Sequence, residues 1–220
     1  MSPRIVPPAP SPPAARSTYR HGDLRRALLD AGIELARDGG PDAVALREVT
    51  RRAGVVPNAA YRHFASRREL LLAVRAAALS AAASAMEKEL AVLPCDQPPV
   101  DFARAQVRAI GTGYLRFAQA EPGLFRTAFV VSSEDGEGEV GPARAGASGK
   151  DPFQLLGAAI DRLVEAGALD PSHRPNAEYL AWSAVHGLAL LIIEGPLKGM
   201  DAQSSHALGQ RLIDMVERGL

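Results

Sequence analysis

The amino-acid sequence predicts an all-α protein of about nine helices, in which a small three-helix domain precedes a larger helical bundle. Two observations favour this fold class. Apolar residues recur at helical spacing along most of the 220 residues, and Gly and Pro separate the periodic stretches from one another. No stretch alternates between apolar and polar residues as a half-buried strand does, so we expect no β-sheet.

The N-terminal elements follow from local signals. Residues 1–20 are rich in proline and are expected to form a disordered arm. Gly54 provides a tight turn between two short helices, and Ser66 with Glu69 is typical of a capping box that begins a long helix. The first three helices are predicted over 22–37, 46–53 and 57–64.

The remaining helices belong to a second domain. Residues 132–150 contain five glycines between acidic residues and are expected to form a mobile loop. The later helices are predicted over 67–93, 100–120, 122–129, 152–166, 176–194 and 201–218. The chain is therefore divided into an arm at 1–20, a helix-turn-helix domain at 21–67, and a larger second domain at 68–220, with the helix from 67 linking the two domains.

Composition excludes several classes of protein. The longest apolar run, 188–193, has six residues, too few to cross a membrane, and the Pro-rich start lacks the apolar core of a signal peptide. The single cysteine, Cys95, excludes an intramolecular disulfide and a cysteine-rich zinc site. We therefore expect a cytoplasmic protein with no cofactor, no metal and no membrane partner.

Charge is distributed unevenly along the chain. Residues 1–75 contain thirteen arginines and seven acidic residues, whereas residues 76–220 contain twelve basic and eighteen acidic residues. A basic segment of this kind indicates a polyanionic partner. The alternative is a chance division of solvated charge.

The third helix has the features of a DNA-reading element, because the other two helices cover one of its faces and leave the opposite face free to enter a major groove. Asn58 is a candidate to read an adenine edge, and Arg62 a guanine or a phosphate. Tyr61 and His63 are candidates for phosphate contacts, although Tyr61 could instead be a core aromatic. The full set of predicted DNA-binding residues is Arg47, Pro57, Asn58, Tyr61, Arg62, His63 and Arg67.

The stretch 46–70 resembles the DNA-binding domain of the TetR family of repressors. The resemblance rests on Ala53-Gly54-Val55 and on Tyr61, His63 and Phe64 in a Y-x-H-F pattern. It implies binding to double-stranded operator DNA. Two departures, Val56 and Ala45, stand where the family often has a hydroxyl residue, which weakens a helix cap and a phosphate contact.

A second resemblance lies near the C-terminus. Trp182, His186 and Gly187 match a W-x-x-x-H-G pattern found in C-terminal domains of many TetR-type regulators. The helix that carries them is apolar on more than one side, and the resemblance implies that it pairs with the last helix across a two-fold axis to form a homodimer. The predicted interface residues are Ala181, Ala184, Leu188, Leu191, Leu208, Leu212 and Val216.

The second domain is also expected to enclose a pocket for an unknown small-molecule effector. The candidate lining residues are Phe102, Tyr114, Phe117, Phe125, Phe129, Trp182 and His186. The alternative is that these rings are packed core, and for His186 a hydrogen-bonded core position is the favoured interpretation.

The predicted function is a DNA-binding transcriptional regulator, a repressor released from its operator by a small apolar or amphipathic ligand. One alternative is a DNA-binding protein without an effector, with a constitutive or architectural role. A more remote alternative is an all-α enzyme, but no nucleophile with a neighbouring base, paired carboxylates or metal cluster is found at helical spacing.

Overall fold

The computed structural model describes residues 24–129 and 142–220, and within these ranges it contains helices and turns but no strand. The all-α prediction is confirmed. Nine α-helices occur in the described residues: α1 Leu24–Gly39, α2 Leu46–Arg52, α3 Pro57–Ala60, α4 Arg67–Ala91, α5 Pro99–Ala120, α6 Pro122–Phe129, α7 Pro152–Glu165, α8 Ala177–Ile193 and α9 Ala202–Gly219. Short 3-10 turns occur at Pro41–Ala43, Pro142–Arg144 and Pro171–His173. The Pro-rich arm at 1–20 and the first part of the expected loop lie outside the described residues.

Helices α1, α2 and α3 form a small unit that we call the head. Leu28 and Phe64 are fully buried between these helices and the start of α4. Gly54 has a φ of 69°, a left-handed conformation that glycine adopts without steric cost, and this allows the sharp turn between α2 and α3. Arg52 fastens α2 to α1 through ion pairs with Glu34 at 3.5 Å and Asp38 at 3.2 Å.

The third helix is shorter than the sequence predicts. Its α-helical part ends at Ala60, and residues 61–63 continue as turns. The fourth helix begins as predicted, with the Ser66 hydroxyl accepting a hydrogen bond from the Glu69 N–H at 3.1 Å. The Glu69 carboxylate accepts from the Ala65 N–H at 2.7 Å rather than from Ser66 itself, so the backbone just before α4 is held one residue earlier than a capping box requires.

The long helix α4 joins the head to the other helices, α5–α9, which we call the body. By length and composition alone α4 could cross a membrane, but it packs against α1, α5, α6 and α7. Its inward residues are buried core: Leu70, Val74, Ala78, Leu79, Ala82, Ala83 and Met86. Its apolar character is therefore explained by helix packing on several sides.

The segment after the undescribed residues is held on α4. The Ser80 hydroxyl donates to the Ala145 carbonyl at 2.7 Å, and the Glu87 carboxylate accepts from the N–H groups of Ala147 and Ser148 at 2.8 Å each. The part of the predicted mobile loop that the structure describes, 142–150, is thus tied to α4 by side-chain to backbone hydrogen bonds.

Helix α6 is in close contact with α1 of the head. A Cβ placed on Gly123 would lie 2.3 Å from the carbonyl oxygens of both Ala36 and Arg37, so only glycine permits this approach. The Arg37 guanidinium donates to the Glu121 carboxylate at 2.8 Å beside the same contact. This junction connects the head to the body at a second place besides α4.

Candidate DNA-binding face and ligand cavity

The outer face of α3 presents polar groups above a packed layer. Pro57, Asn58, Tyr61 and Arg62 are exposed, and the Tyr61 side chain is 55% accessible. Phe64 lies beneath them with no exposure. The structure therefore supports the exposed interpretation of Tyr61, and Phe64 is a core residue with the Arg25 guanidinium 4.9 Å from its ring centroid.

Two arginines flank this face. Arg47 is exposed in the first turn of α2, and Arg62 follows α3. Among the salt bridges of the described residues neither side chain takes part, whereas Arg51 pairs with Glu48 and Arg52 with α1. His63 is partly buried at the edge of the same face. A short helix backed by a rigid core and flanked by cations can enter a groove while the cations contact phosphates.

Arg67 is bonded to the backbone of the head. Its Nε donates to the Val44 carbonyl at 2.7 Å and its Nη2 to the Pro41 carbonyl at 2.8 Å. The side chain is exposed, and its assignment as a DNA-binding residue stays a prediction. Its role in the structure is to position the start of α4 on the head.

The body contains a cavity of about 420 Å³, within the range of small-molecule sites. Three predicted residues line it: Tyr114, Phe129 and Trp182. Most of the other lining groups are apolar side chains from α4, α5, α7, α8 and α9. They include Leu79, Met86, Val107, Ile110, Phe153, Leu156, Tyr179, Val185 and Ile213, and the charged lining residues are Arg75, Arg144 and Asp151.

A chain of hydrogen bonds borders the cavity. The Trp182 Nε1–H donates to the Tyr114 hydroxyl at 3.0 Å, and the Tyr114 oxygen lies 2.7 Å from His186 Nδ1. Because an indole N–H only donates, the arrangement that satisfies all three groups has the Tyr114 O–H donating to Nδ1 of a neutral His186. Burial lowers the pKa of His186 and raises the pKa of the Tyr114 phenol well above its ordinary value, so both groups are neutral near pH 7.

Three predicted pocket residues lie elsewhere. Phe125 is completely buried, with its ring 5.4 Å from Tyr114 and 4.9 Å from Phe129. Phe117 packs behind Phe125 at 6.4 Å, and Phe102 is partly buried near the start of α5. These three rings are packing groups outside the cavity lining, and His186 also lies outside it, next to the lining residues Tyr114, Phe129 and Trp182.

Residues that sequence reasoning missed include Arg75, Arg144, Phe153 and Tyr179. A usable signal existed for Arg75, because Arg75, Leu79 and Met86 are spaced four and seven residues apart and therefore share one face of a helix. No comparable local signal marks Arg144, which reaches the cavity from the far side of the undescribed segment.

The predicted dimer interface needs correction. Ala181 and Leu188 are buried inside the chain itself, at 4% and 7% exposure, and Ala181 and Val216 line the cavity. The outer surface of α8 carries Leu191, which belongs to the predicted set, and also Leu180, which does not; they are exposed at 43% and 64%. Ala181 faces the inside of the body because it lies four residues before Val185 and therefore on the same side of α8. Val185 is buried and lines the same cavity.

The remaining predicted interface residues are partly accessible. Ala184 on α8 is of intermediate burial, as are Leu208 and Leu212 on α9. Met215 on α9 is 62% exposed. An outer apolar surface is therefore formed by Leu180, Ala184, Leu191, Leu208, Leu212 and Met215, and we call it the α8–α9 face.

A three-helix head with an exposed recognition helix, joined by one long helix to a body that encloses an apolar cavity, defines a helix-turn-helix regulator with a separate ligand domain. Comparison with known proteins agrees with this class. Residues 28–74 match the family model of bacterial regulatory proteins of the tetR family, and residues 107–216 match the tetracyclin repressor-like C-terminal domain. The chain belongs to the TetR family of transcriptional regulators.

Individual relatives are more distant. The HTH-type transcriptional regulator BetI of Rhizobium meliloti (strain 1021) is 33% identical over 96 residues, which cover 39% of this chain and 47% of the relative. The match therefore spans about half the length of that curated protein.

Solved structures share the fold over nearly the whole chain. A protein with unknown function from Rhodococcus sp. RHA1 is 25% identical with a TM-score of 0.71, covering 93% of this chain and 99% of its own. FadR from Bacillus subtilis, in complex with stearoyl-CoA, is 12% identical with a TM-score of 0.65, covering 89% and 98%; at this identity the likeness concerns the fold alone.

Proposed function

We propose that this protein is a homodimeric repressor that binds double-stranded operator DNA through α2 and α3 and leaves it when a small apolar or amphipathic ligand occupies the cavity. It acts in the cytoplasm, where its DNA lies. The observation that carries the DNA-binding part is the exposure of Asn58, Tyr61 and Arg62 above the buried Phe64.

Roles on DNA follow from side-chain chemistry. The Asn58 amide can bond an adenine edge in both directions, and the Arg62 guanidinium can bond a guanine or a phosphate. Tyr61, Arg47 and His63 contact phosphates, which positions α3 without reading sequence. Pro57 begins α3 and fixes its direction into the groove.

Dimerisation uses the α8–α9 face. Two recognition helices must lie about 34–36 Å apart to enter successive major grooves on one side of a duplex, which a single head cannot do. The exposed leucines on α8 and Met215 on α9 give these two packed helices an apolar outer surface of the kind that a second subunit covers. A two-fold pairing of these helices brings both heads to the same side.

The cavity is connected to the head through α6. Ala128 and Phe129, at the end of α6, line the cavity, while Gly123, near its start, lies against the α1 carbonyls. A ligand that binds the DNA-free arrangement more tightly shifts the population toward it. FadR and a TetR variant were solved with stearoyl-CoA and minocycline, respectively, which supports an effector role for such a cavity.

The DNA-binding proposal is tested by sequencing DNA fragments that the purified protein retains and then measuring affinity for the recovered site. Asn58→Ala should relax the preference at one base pair, at a cost of about 1–3 kcal/mol. Tyr61→Phe should weaken binding to all sequences alike. An unchanged base preference for Asn58→Ala would contradict its reading role.

Oligomeric state is measured by sedimentation. Leu180→Glu combined with Leu191→Glu should yield folded monomers with strongly reduced operator affinity, because each charge would be buried at the subunit boundary. Val92→Glu is the matched control, since Val92 is exposed but follows α4, away from the α8–α9 face. A wild-type protein that sediments as a monomer at micromolar concentration would refute the dimer.

Effector action is tested by titrating a candidate ligand with and without operator DNA. Coupling of about 1–3 kcal/mol is needed for useful release, and linkage requires DNA to weaken ligand binding by the same factor. Equal ligand affinities in the two titrations, for every compound that fills the cavity, would favour a DNA-binding protein without an effector.

A further inference from the structure

The polar groups of the cavity form two chemically different sets. Tyr114, Trp182 and the neutral His186 already satisfy one another through hydrogen bonds at 3.0 and 2.7 Å. The lining also includes apolar side chains such as Val107, Ile110 and Ile213. These groups offer no charge to a ligand, and an apolar group can pack against them without leaving a buried donor or acceptor unpaired.

The second set of polar lining groups is cationic. The Arg75 Nε donates to the Ala128 carbonyl at 3.1 Å, which holds this guanidinium between α4 and α6. The hydrogen bond from Ser80 to the Ala145 carbonyl places the neighbouring Arg144 against the same stretch of α4. Both arginines line the cavity, and each guanidinium carries five donors with which it can hold a planar anion.

One lining carboxylate is compensated by a helix. Asp151 accepts a hydrogen bond from the Gln154 N–H at 2.9 Å and forms a complete capping box at the start of α7. The positive end of the helix dipole balances this charge. Among the described lining residues, two side chains thus carry positive charge and one carries negative charge.

We propose that the cavity binds an amphipathic carboxylate, with its apolar body among the aromatic and aliphatic side chains and its anionic group between Arg75 and Arg144. The inference rests on the proposed function in treating this cavity as the effector site. Both guanidiniums take part in other interactions as well, so the ligand shares or displaces existing partners. A volume of about 420 Å³ suits a compact or medium-chain acid.

The chain has a built-in reporter for the test, because Trp182 is its single tryptophan and lines the cavity. The full-length protein is titrated at pH 7.5 with decanoate, decan-1-ol or decyltrimethylammonium, which share one chain and differ in charge. Tryptophan emission and calorimetry follow binding without DNA. We expect decanoate to bind at least roughly tenfold more tightly than the alcohol, the effect of one or two charge-assisted hydrogen bonds, and the ammonium compound to bind most weakly.

Variants locate the anionic subsite. Arg75→Met and Arg144→Met should each reduce the preference for decanoate over decanol while leaving decanol affinity unchanged, and retained decanol binding shows that the variant is folded. Arg116→Met is the matched control, since Arg116 is exposed on α5, pairs with Glu89 and lies outside the cavity lining; it should keep the full preference.

The proposal is overturned if the three probes bind equally, if the ammonium compound binds best, if no probe binds, or if both cavity variants retain the wild-type preference. The test of the ligand class can fail or succeed independently of the test of the proposed function. Selective decanoate binding without release of operator DNA supports the ligand class and contradicts the regulatory switch. Release of DNA by an uncharged compound, with no selectivity for decanoate, supports the switch and contradicts the ligand class.

Discussion

The head and the body place their functional side chains in opposite environments. On the head, Asn58, Tyr61 and Arg62 project from a surface whose packing depends on other residues, chiefly Phe64 beneath them. In the body, Tyr114 is both a cavity wall and a buried member of the core. Substitutions on the recognition face are therefore expected to change DNA binding with little effect on folding, whereas substitutions at the cavity change both.

The strongest effect is expected where the two regions meet. Gly123→Ala places a methyl group within 2.3 Å of two α1 carbonyl oxygens and forces α6 away from the head. We expect it to lower the free energy of unfolding by about 3 kcal/mol, the upper part of the range for overpacking. Chemical denaturation measures the change.

Gly157→Ala is the matched control for Gly123→Ala. Gly157 also lies within a helix, α7, but its added Cβ would meet only the Arg174 guanidinium at an ordinary 3.7 Å. Helix propensity then predicts a gain of up to about 1 kcal/mol. Equal effects of the two substitutions would show that the α1–α6 contact is looser than the structure has it.

Removing one tyrosine hydroxyl from the body and one from the head compares the two regions directly. Tyr114→Phe leaves the Trp182 N–H and His186 without their partner, and should cost about 1–3 kcal/mol of stability. Tyr61→Phe should change stability by less than about 0.5 kcal/mol, as exposed sites usually do, while weakening DNA binding. Thermal unfolding and operator titration of both variants measure the two effects, and similar stability losses would contradict the contrast between head and body.

The smallest effect concerns pH. Burial holds the pKa of His186 below its ordinary 6.5, so the unfolded chain takes up this proton first as the pH falls. The contribution to stability is complete above pH 6.5 and is lost as the pH decreases below it. Denaturation between about pH 7.5 and 5.5 should therefore show a steeper decrease for the wild type than for His186→Gln. His206→Gln, at an exposed position on α9, should retain the wild-type slope.

The outer face of α3 could be predicted from sequence because the residues that form it lie close together in the chain. Gly54 permits the turn, Phe64 anchors the short helix, and the residues between them alternate inward and outward at helical spacing. The ends of helices can be predicted from sequence for the same reason, since Gly, Pro and capping side chains act within one turn. The largest overestimate of a helix length concerns α3, because residues 61–63 leave the α-helical hydrogen-bond pattern before Phe64 returns to the core.

The cavity could be predicted only in part, because it is made by residues far apart in sequence. Periodicity shows that Phe125 and Trp182 are apolar and helical, but it does not say which ring faces a void and which faces another ring. The same limit applies to Ala181, which lies on the cavity side of a helix that is apolar all round. Periodicity also does not show that Gly113 packs against the α4 backbone, where an added Cβ would lie 2.6 Å from the Met86 Cα.

The two hydrogen bonds from Arg67 to the Val44 and Pro41 carbonyls make the first turn of α4 part of the head. Any tilt of α4 therefore moves the head, including the recognition helix α3, together with the first turn of α4. A helix of 25 residues is about 37 Å long at 1.5 Å per residue, so a tilt of about 5° around its far end displaces the head by about 3 Å. In the proposed dimer, displacements of the two heads in opposite directions would change the distance between the recognition helices by up to twice that amount. The hydrogen bonds of Arg67 are therefore the contacts that couple a tilt of α4 to the position of α3.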